Sequence, residues 1–150
     1  MREDDIRAAI EGFPGDLFER FARELVRREL YPGLNPTSRS HDLGEDARTE
    51  PTTVFLHNGL WVSLAISKTG TWNKLREDCL RCKETGRRID TIVFVTADNP
   101  RTDVEETWRQ NVKEEFGWDL EVRALRWLAP VTSRPEYESL VDDYLNIPPP

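Results

Sequence analysis

Thr52-Thr53-Val54-Phe55-Leu56-His57-Asn58-Gly59-Leu60-Trp61-Val62-Ser63-Leu64-Ala65-Ile66-Ser67-Lys68 is the stretch that decides the fold. Residues 52–56 combine β-branched and aromatic side chains, the composition of a strand. His57-Asn58-Gly59 is a hairpin signal, because Asn and Gly tolerate the positive φ of a tight turn. Leu60–Ser67 then alternates: Val62, Leu64 and Ile66 are large, whereas Ser63, Ala65 and Ser67 are small. Such a strand is expected to be covered on both faces, with an element pressed close against the small one.

Towards the C-terminus, Thr71–Thr85 reads as a helix. Trp72, Leu75, Cys79 and Cys82 form one stripe, and Gly86 stands at the C′ position. Asp90–Thr96, with Ile92-Val93-Phe94-Val95, is a near-continuous apolar run, the pattern of a central strand buried on both faces. Thr102-Asp103-Val104-Glu105 matches a capping box. The helix it opens carries Val104, Trp108, Val112 and Phe116 and stops at Gly117. Leu120–Trp127 reads as a further strand, and Glu136–Leu145 as a last helix with Tyr137, Leu140, Val141 and Tyr144 on its face.

Towards the N-terminus, a short strand is expected near Glu45–Thr49, and residues 31–43, rich in Pro, Gly, Ser and Asn, read as a loop. Leu17, Phe18, Phe21, Ala22, Leu25, Val26 and Leu30 recur at helical spacing, with Asp16 as N-cap and Pro32-Gly33 as the stop. The order is α-β-β-β-α-β-α-β-α. An antiparallel meander followed by β-α-β units predicts an α/β fold, a mixed central sheet flanked by helices. Residues 1–146 read as one domain, and Ile147-Pro148-Pro149-Pro150 as the start of a linker or tail.

The chain has 150 residues, 37% hydrophobic and 33% charged, as expected of a soluble globular protein with a sizeable core. No apolar run approaches the roughly 20 residues that cross a bilayer. The acidic start Met1-Arg2-Glu3-Asp4-Asp5 lacks the apolar core of a secretory signal, so a cytoplasmic location without a membrane partner is expected. Cys79 and Cys82 supply only two zinc ligands, and His41 and His57 lie at no zinc-finger spacing from them. The two cysteines therefore read as buried helix-face residues. The net charge of −7 weighs against an autonomous DNA-binding module. It leaves room for an enzyme with a local basic groove, or for a domain delivered to nucleic acid by a partner.

Asp42-Leu43-Gly44-Glu45-Asp46 carries the clearest chemical signal. Hydrolysis of a phosphodiester with a divalent metal needs hard oxygen ligands at one point, and a cation that offsets the developing charge. Asp46 is the natural first carboxylate, since it opens the expected first strand just after Gly44, where the backbone turns tightly. Trp61–Ser67 is the natural partner strand, and Lys68 closes it. His41 beside Asp42 reads as a surface loop histidine. Trp72 and Trp108 read as helix-core residues, and Arg81, Lys83, Arg87 and Arg88 as solvated cations near a helix end.

On these residues the chain resembles the PD-(D/E)xK nuclease superfamily, and within it the Mrr-like restriction-endonuclease domains. Some of those are N-terminal effectors of bacterial antiviral STAND-type ATPases. Leu17-Phe18-Glu19-Arg20-Phe21 resembles the family's "FE" helix start, and Asp42–Ala47 its D-x-G-x-D-A signature. Trp61–Lys68 corresponds to the strand bearing the (D/E/Q)-x-K element. Ser67, followed by Trp72, Lys74-Leu75 and Asp78, is similar to a variant in which a serine ends that strand and the next helix begins with tryptophan and lysine. The likeness covers nearly the whole chain through its element order, whereas its specific motif residues are few.

The resemblance implies a restriction-endonuclease-like fold and a metal-dependent DNA endonuclease acting in antiviral defence. Its partners would be DNA and a fused or associated STAND-type ATPase, with activity on oligomerisation. It implies Mg²⁺ or Mn²⁺ at Asp46, with Glu19 as an outer metal or water ligand and Asp42 as a supporting acid. The chain departs from the family at the third strand. The acidic position two residues before Lys68 is Ile66, and if Ser67 takes that position, Thr69 stands where lysine belongs. Lys74 from the next helix is the alternative catalytic lysine, and a strand carbonyl an alternative metal oxygen. A catalytically inactive nuclease-like fold, acting as an interaction or DNA-positioning module, is the main alternative. An unrelated α/β domain whose D-x-G-x-D is a surface turn is a third.

Overall fold

The computed structural model describes residues 2–32 and 53–145. The expected strand near Glu45–Thr49, with His41, Asp42, Gly44 and Asp46, lies outside the described residues, as does the tail 147–150. The hairpin forms as its sequence predicts. β1 (Thr53–His57) and β2 (Leu60–Ser67) pair antiparallel, with His57 opposite Leu60. Asn58 and Gly59 take φ values of 51° and 81°, the left-handed region that a two-residue hairpin turn requires.

β2 then pairs in parallel with β3 (Thr91–Thr96), and β3 in parallel with β4 (Asp119–Arg123). The strands lie in chain order, β1-β2-β3-β4, in a mixed sheet. α3 (Trp72–Glu84) joins β2 to β3, and α4 (Thr102–Phe116) joins β3 to β4. Because the strand order runs one way, crossovers of one hand bring both helices to the same face. Leu75, Cys79, Cys82, Trp108 and Val112 pack there with Ala65, Ile92, Phe94 and Leu120.

The other face is covered by α1 (Arg2–Glu11), α2 (Gly15–Glu29), α5 (Leu125–Thr132) and α6 (Glu138–Tyr144), the last preceded by a 3-10 turn at Pro135–Tyr137. Ile6, Phe18, Phe21, Leu25, Leu128 and Val141 form its core with Val62, Leu64, Val93 and Val95. Removing this apolar surface from water is the main driving force of the fold. The large face of β2 meets this layer. The small face, Ser63, Ala65 and Ser67, lies buried under α3, with Ser63 Oγ 3.2 Å from Cys82 Sγ. All six residues of β3 are buried, as expected of a central strand.

Some local expectations are corrected. α1 was not anticipated: its large apolar residues are only Ile6 and Ile10, one turn apart, yet both are fully buried. The strand expected over Leu120–Trp127 stops at Arg123, and Leu125 opens a helix that contains Pro130. Leu125, Leu128, Ala129 and Val131 are buried there, on the face turned to α1 and α6. α2 starts at Gly15 with Pro14 as N-cap, so Asp16 sits in the first turn, where its charge favours the helix dipole. The capping box at 102–105 does not form. Arg101 is the N-cap, and Glu105 is buried and ion-paired with Arg126 and Arg109. Charge-assisted bonds to arginine outcompete a reach back to a backbone N–H.

Candidate functional site

β2 ends at Ser67 and β3 at Thr96, directly side by side. The carboxyl ends of parallel strands are where open α/β sheets bind ligands. Here the segment Lys68–Gly70 leads from β2 into α3 and is fastened to the end of β3. Thr96 Oγ1 donates to the Lys68 carbonyl at 3.2 Å, and Gly70 N donates to Asp98 Oδ2 at 2.6 Å. A Cβ at Gly70 would lie 2.6 Å from Thr96 Oγ1 and 3.0 Å from Asp98 Cβ, so the joint needs glycine. Thr71 then caps α3, its hydroxyl accepting from Lys74 N at 3.2 Å. The backbone of Lys74 is thereby set in the first turn.

Lys74 Nζ lies 3.5 Å from Asp78 Oδ1, one helical turn on, and Arg81 Nη1 lies 3.7 Å from the same oxygen. The Asp78 side chain is 5% exposed. It belongs to the buried stripe of Leu75, Cys79 and Cys82. Lys74 is half-buried beside that stripe rather than on the solvated side opposite the cysteines. Burial pushes the Asp78 carboxyl above its ordinary range, partly opposed by Lys74 and Arg81.

α2 contributes Glu19 from the other layer. Its side chain reaches solvent, yet surrounding protein raises its pKa. Lys74 pulls that value down, while Asp78 and Asp16 push it up. Glu19 of one layer thus feels the charges of Lys74 and Asp78 in the other.

The sequence-derived candidates thus separate. Glu19 and Lys74, on different layers, are electrostatically coupled. Ser67 is buried at the end of β2, on the α3 side. Lys68 is half-buried, and among the described residues its backbone carbonyl, not its ammonium, has the hydrogen-bond partner. Asp42 and Asp46 lie outside the described residues. Ile66, at the position where the motif carries an acid, packs against the apolar core of the α2 layer. Asp78 enters the sequence reading only through the resemblance, on the helix that follows Ser67. The missed signal is a carboxylate on the same helical stripe as Leu75, Cys79 and Cys82.

The carboxylates of Glu19 and Asp78 are the hard oxygen donors that Mg²⁺ takes. Among the described residues, however, no three His, Cys, Asp or Glu side chains gather closely enough to hold a metal ion. Cys79 and Cys82 are fully buried, and burial raises the Cys79 thiol to about 12, as befits an inert packed cysteine. Elsewhere, beside the hairpin turn, a cleft of about 330 Å³ is lined by Tyr31, His57, Asn58, Thr91, Glu121 and Arg123 among others. It contains none of the candidates. Among the described residues no helix is long and apolar enough to cross a membrane. The chain matches no protein-family model and no curated protein.

Proposed function

We propose that this chain is a metal-dependent DNA endonuclease domain of the PD-(D/E)xK type, hydrolysing phosphodiester bonds. One observation carries the proposal: Glu19 of α2 shares a neighbourhood with Lys74 and Asp78 of α3 at the carboxyl end of β2. An acid and a cation from two layers are electrostatically coupled beside the strand that the resemblance singles out. A mixed sheet with helices on both faces is also compatible with a restriction-endonuclease-like fold.

In this assignment Asp46 and Glu19 hold Mg²⁺ or Mn²⁺, with Asp42 in support. Such an ion supplies Lewis acidity and lowers the pKa of a bound water. Lys74 takes the role of the motif lysine in preference to Lys68, because its ammonium is the one held near Glu19. It offsets charge that develops on the attacked phosphate. Ser67 offers a hydroxyl at the strand end where relatives of this type carry an acid or amide. Following the resemblance, the partners are DNA and a STAND-type ATPase, the place is the cytoplasm, and the trigger is assembly of the parent protein in antiviral defence.

A second assignment, an inactive nuclease-like fold used for interaction or DNA positioning, is favoured by Ile66, an apolar residue packed against the core where the motif has its acid. Plasmid cleavage by the full parent protein with Mg²⁺ or Mn²⁺ separates the two. Metal-dependent nicking is expected, reduced roughly 10²-fold or more in Asp46→Ala and in Lys74→Ala. Cleavage that survives Asp46→Ala rejects the metal site. DNA binding without cleavage under every activating condition selects the inactive module.

A further inference from the structure

Asp78 occupies a position that stability alone argues against. α3 buries it on one stripe with Leu75, Cys79 and Cys82, where an ionised carboxylate loses most of its hydration. An apolar side chain would fill the stripe without that cost. Nor do its ion pairs bind α3 to another element, since Lys74 at 3.5 Å and Arg81 at 3.7 Å lie one turn away on the same helix. Pairs of that kind add little to a helix.

What the carboxylate does is geometrical. Lysine is a long, flexible side chain, and its ammonium wanders unless something fixes it. The Thr71 cap sets the Lys74 backbone and Asp78 fixes the far end, the ammonium whose charge Glu19 feels. Arg81 is not what Asp78 is placed for, because it is 48% exposed and has Glu77 as a second partner at 3.8 Å.

We infer that Asp78 is a positioning residue, which holds the Lys74 ammonium near Glu19 at the end of β2 for the phosphodiester chemistry proposed above. The functional half rests on that proposal and the positioning half does not. Preorganising a site commonly costs stability, which accounts for a buried charge that the fold does not need.

The test uses the full parent protein, under the activating conditions of the cleavage assay above, with Asp78→Asn, which keeps the shape and removes the charge, and Asp78→Leu, which fills the stripe. Arg81→Gln serves as control. The rate at which Lys74 is acetylated by a water-soluble reagent is read by mass spectrometry, alongside thermal unfolding and Mn²⁺-dependent plasmid cleavage. In both Asp78 variants we expect an unchanged or higher melting temperature and several-fold faster acetylation of Lys74. Cleavage should fall about as far as in Lys74→Ala, and Arg81→Gln should change neither acetylation nor cleavage. Unchanged Lys74 acetylation in Asp78→Asn overturns the inference, and so does a melting temperature that drops in both variants. If the unaltered protein cleaves no DNA, the nuclease assignment and the functional half fall. Faster Lys74 acetylation in Asp78→Asn would still support the positioning.

Discussion

Two carboxylates are buried on neighbouring helices of the same face, and they are held in opposite ways. Glu105 on α4, with its side chain 6% exposed, ties elements together. It pairs with Arg126 at the start of α5, and with Arg109 at 3.6 Å on its own helix. Arg126 in turn donates to the Pro100 carbonyl at 2.6 Å, and its backbone N–H to Asn99 Oδ1 at 2.8 Å. The segment between β3 and α4 is thus knotted to the first turn of α5. Asp78 on α3 is equally buried, but its ion pairs stay within its own helix. A buried charge whose partner lies in another element is explained by the fold. One whose partners lie beside it on the same helix asks for a functional account.

The largest expected effect is at the knot. Glu105→Ala should destabilise the chain by about 2–4 kcal/mol, somewhat less than for a fully buried pair because Arg126 is 44% exposed. Urea unfolding measures it, and an unchanged midpoint would erase the contrast with Asp78. Gly70→Ala comes next. Its new Cβ collides with Thr96 and Asp98, which predicts a loss of about 1–3 kcal/mol in the same assay. A neutral result would mean that the joint between the ends of β2 and β3 is loose.

pH separates the two kinds of carboxylate further. The folded-state pKa of Asp78 is raised, so its contribution to stability is present below its ordinary 3.8 and is lost as pH rises through the raised value. Glu29 behaves oppositely. Hydrogen bonds from Tyr137 and Arg134 lower its pKa, so its contribution is present above its ordinary 4.5 and is lost as pH falls through the lowered value. Melting curves from acid to neutral pH should show Asp78→Asn flattening the decline towards neutrality and Glu29→Gln flattening the decline towards acid. Slopes of the same sign for both residues would contradict this. The smallest effect is expected for Asp78→Leu, neutral to about 1 kcal/mol more stable. A clear loss of stability there would make Asp78 a structural residue like Glu105.

Where the pattern in the chain was dense, it was legible. The alternation of Val62, Leu64 and Ile66 with Ser63, Ala65 and Ser67 foretold a strand covered on both sides, and the apolar run in β3 foretold the sheet centre. Asn58-Gly59 foretold the hairpin. α1 was invisible because two isoleucines make too thin a stripe. α5 was invisible because its apolar residues follow β4 almost without a break and Pro130 argues against a helix. At the candidate site, Glu19 and Lys74 were recognisable by residue type, but nothing local indicated that they are electrostatically coupled from helices on opposite faces.

Among the described residues, the amino-acid sequence by itself determined the four strands, the hairpin turn and most of the helices, because periodicity and turn chemistry act between residues a few positions apart. Tertiary structure alone decided which carboxylates are buried, which are knotted to other elements, and which cation stands near Glu19. Desolvation and ion pairing depend on groups far apart in the chain, and only the packed layers set their distances.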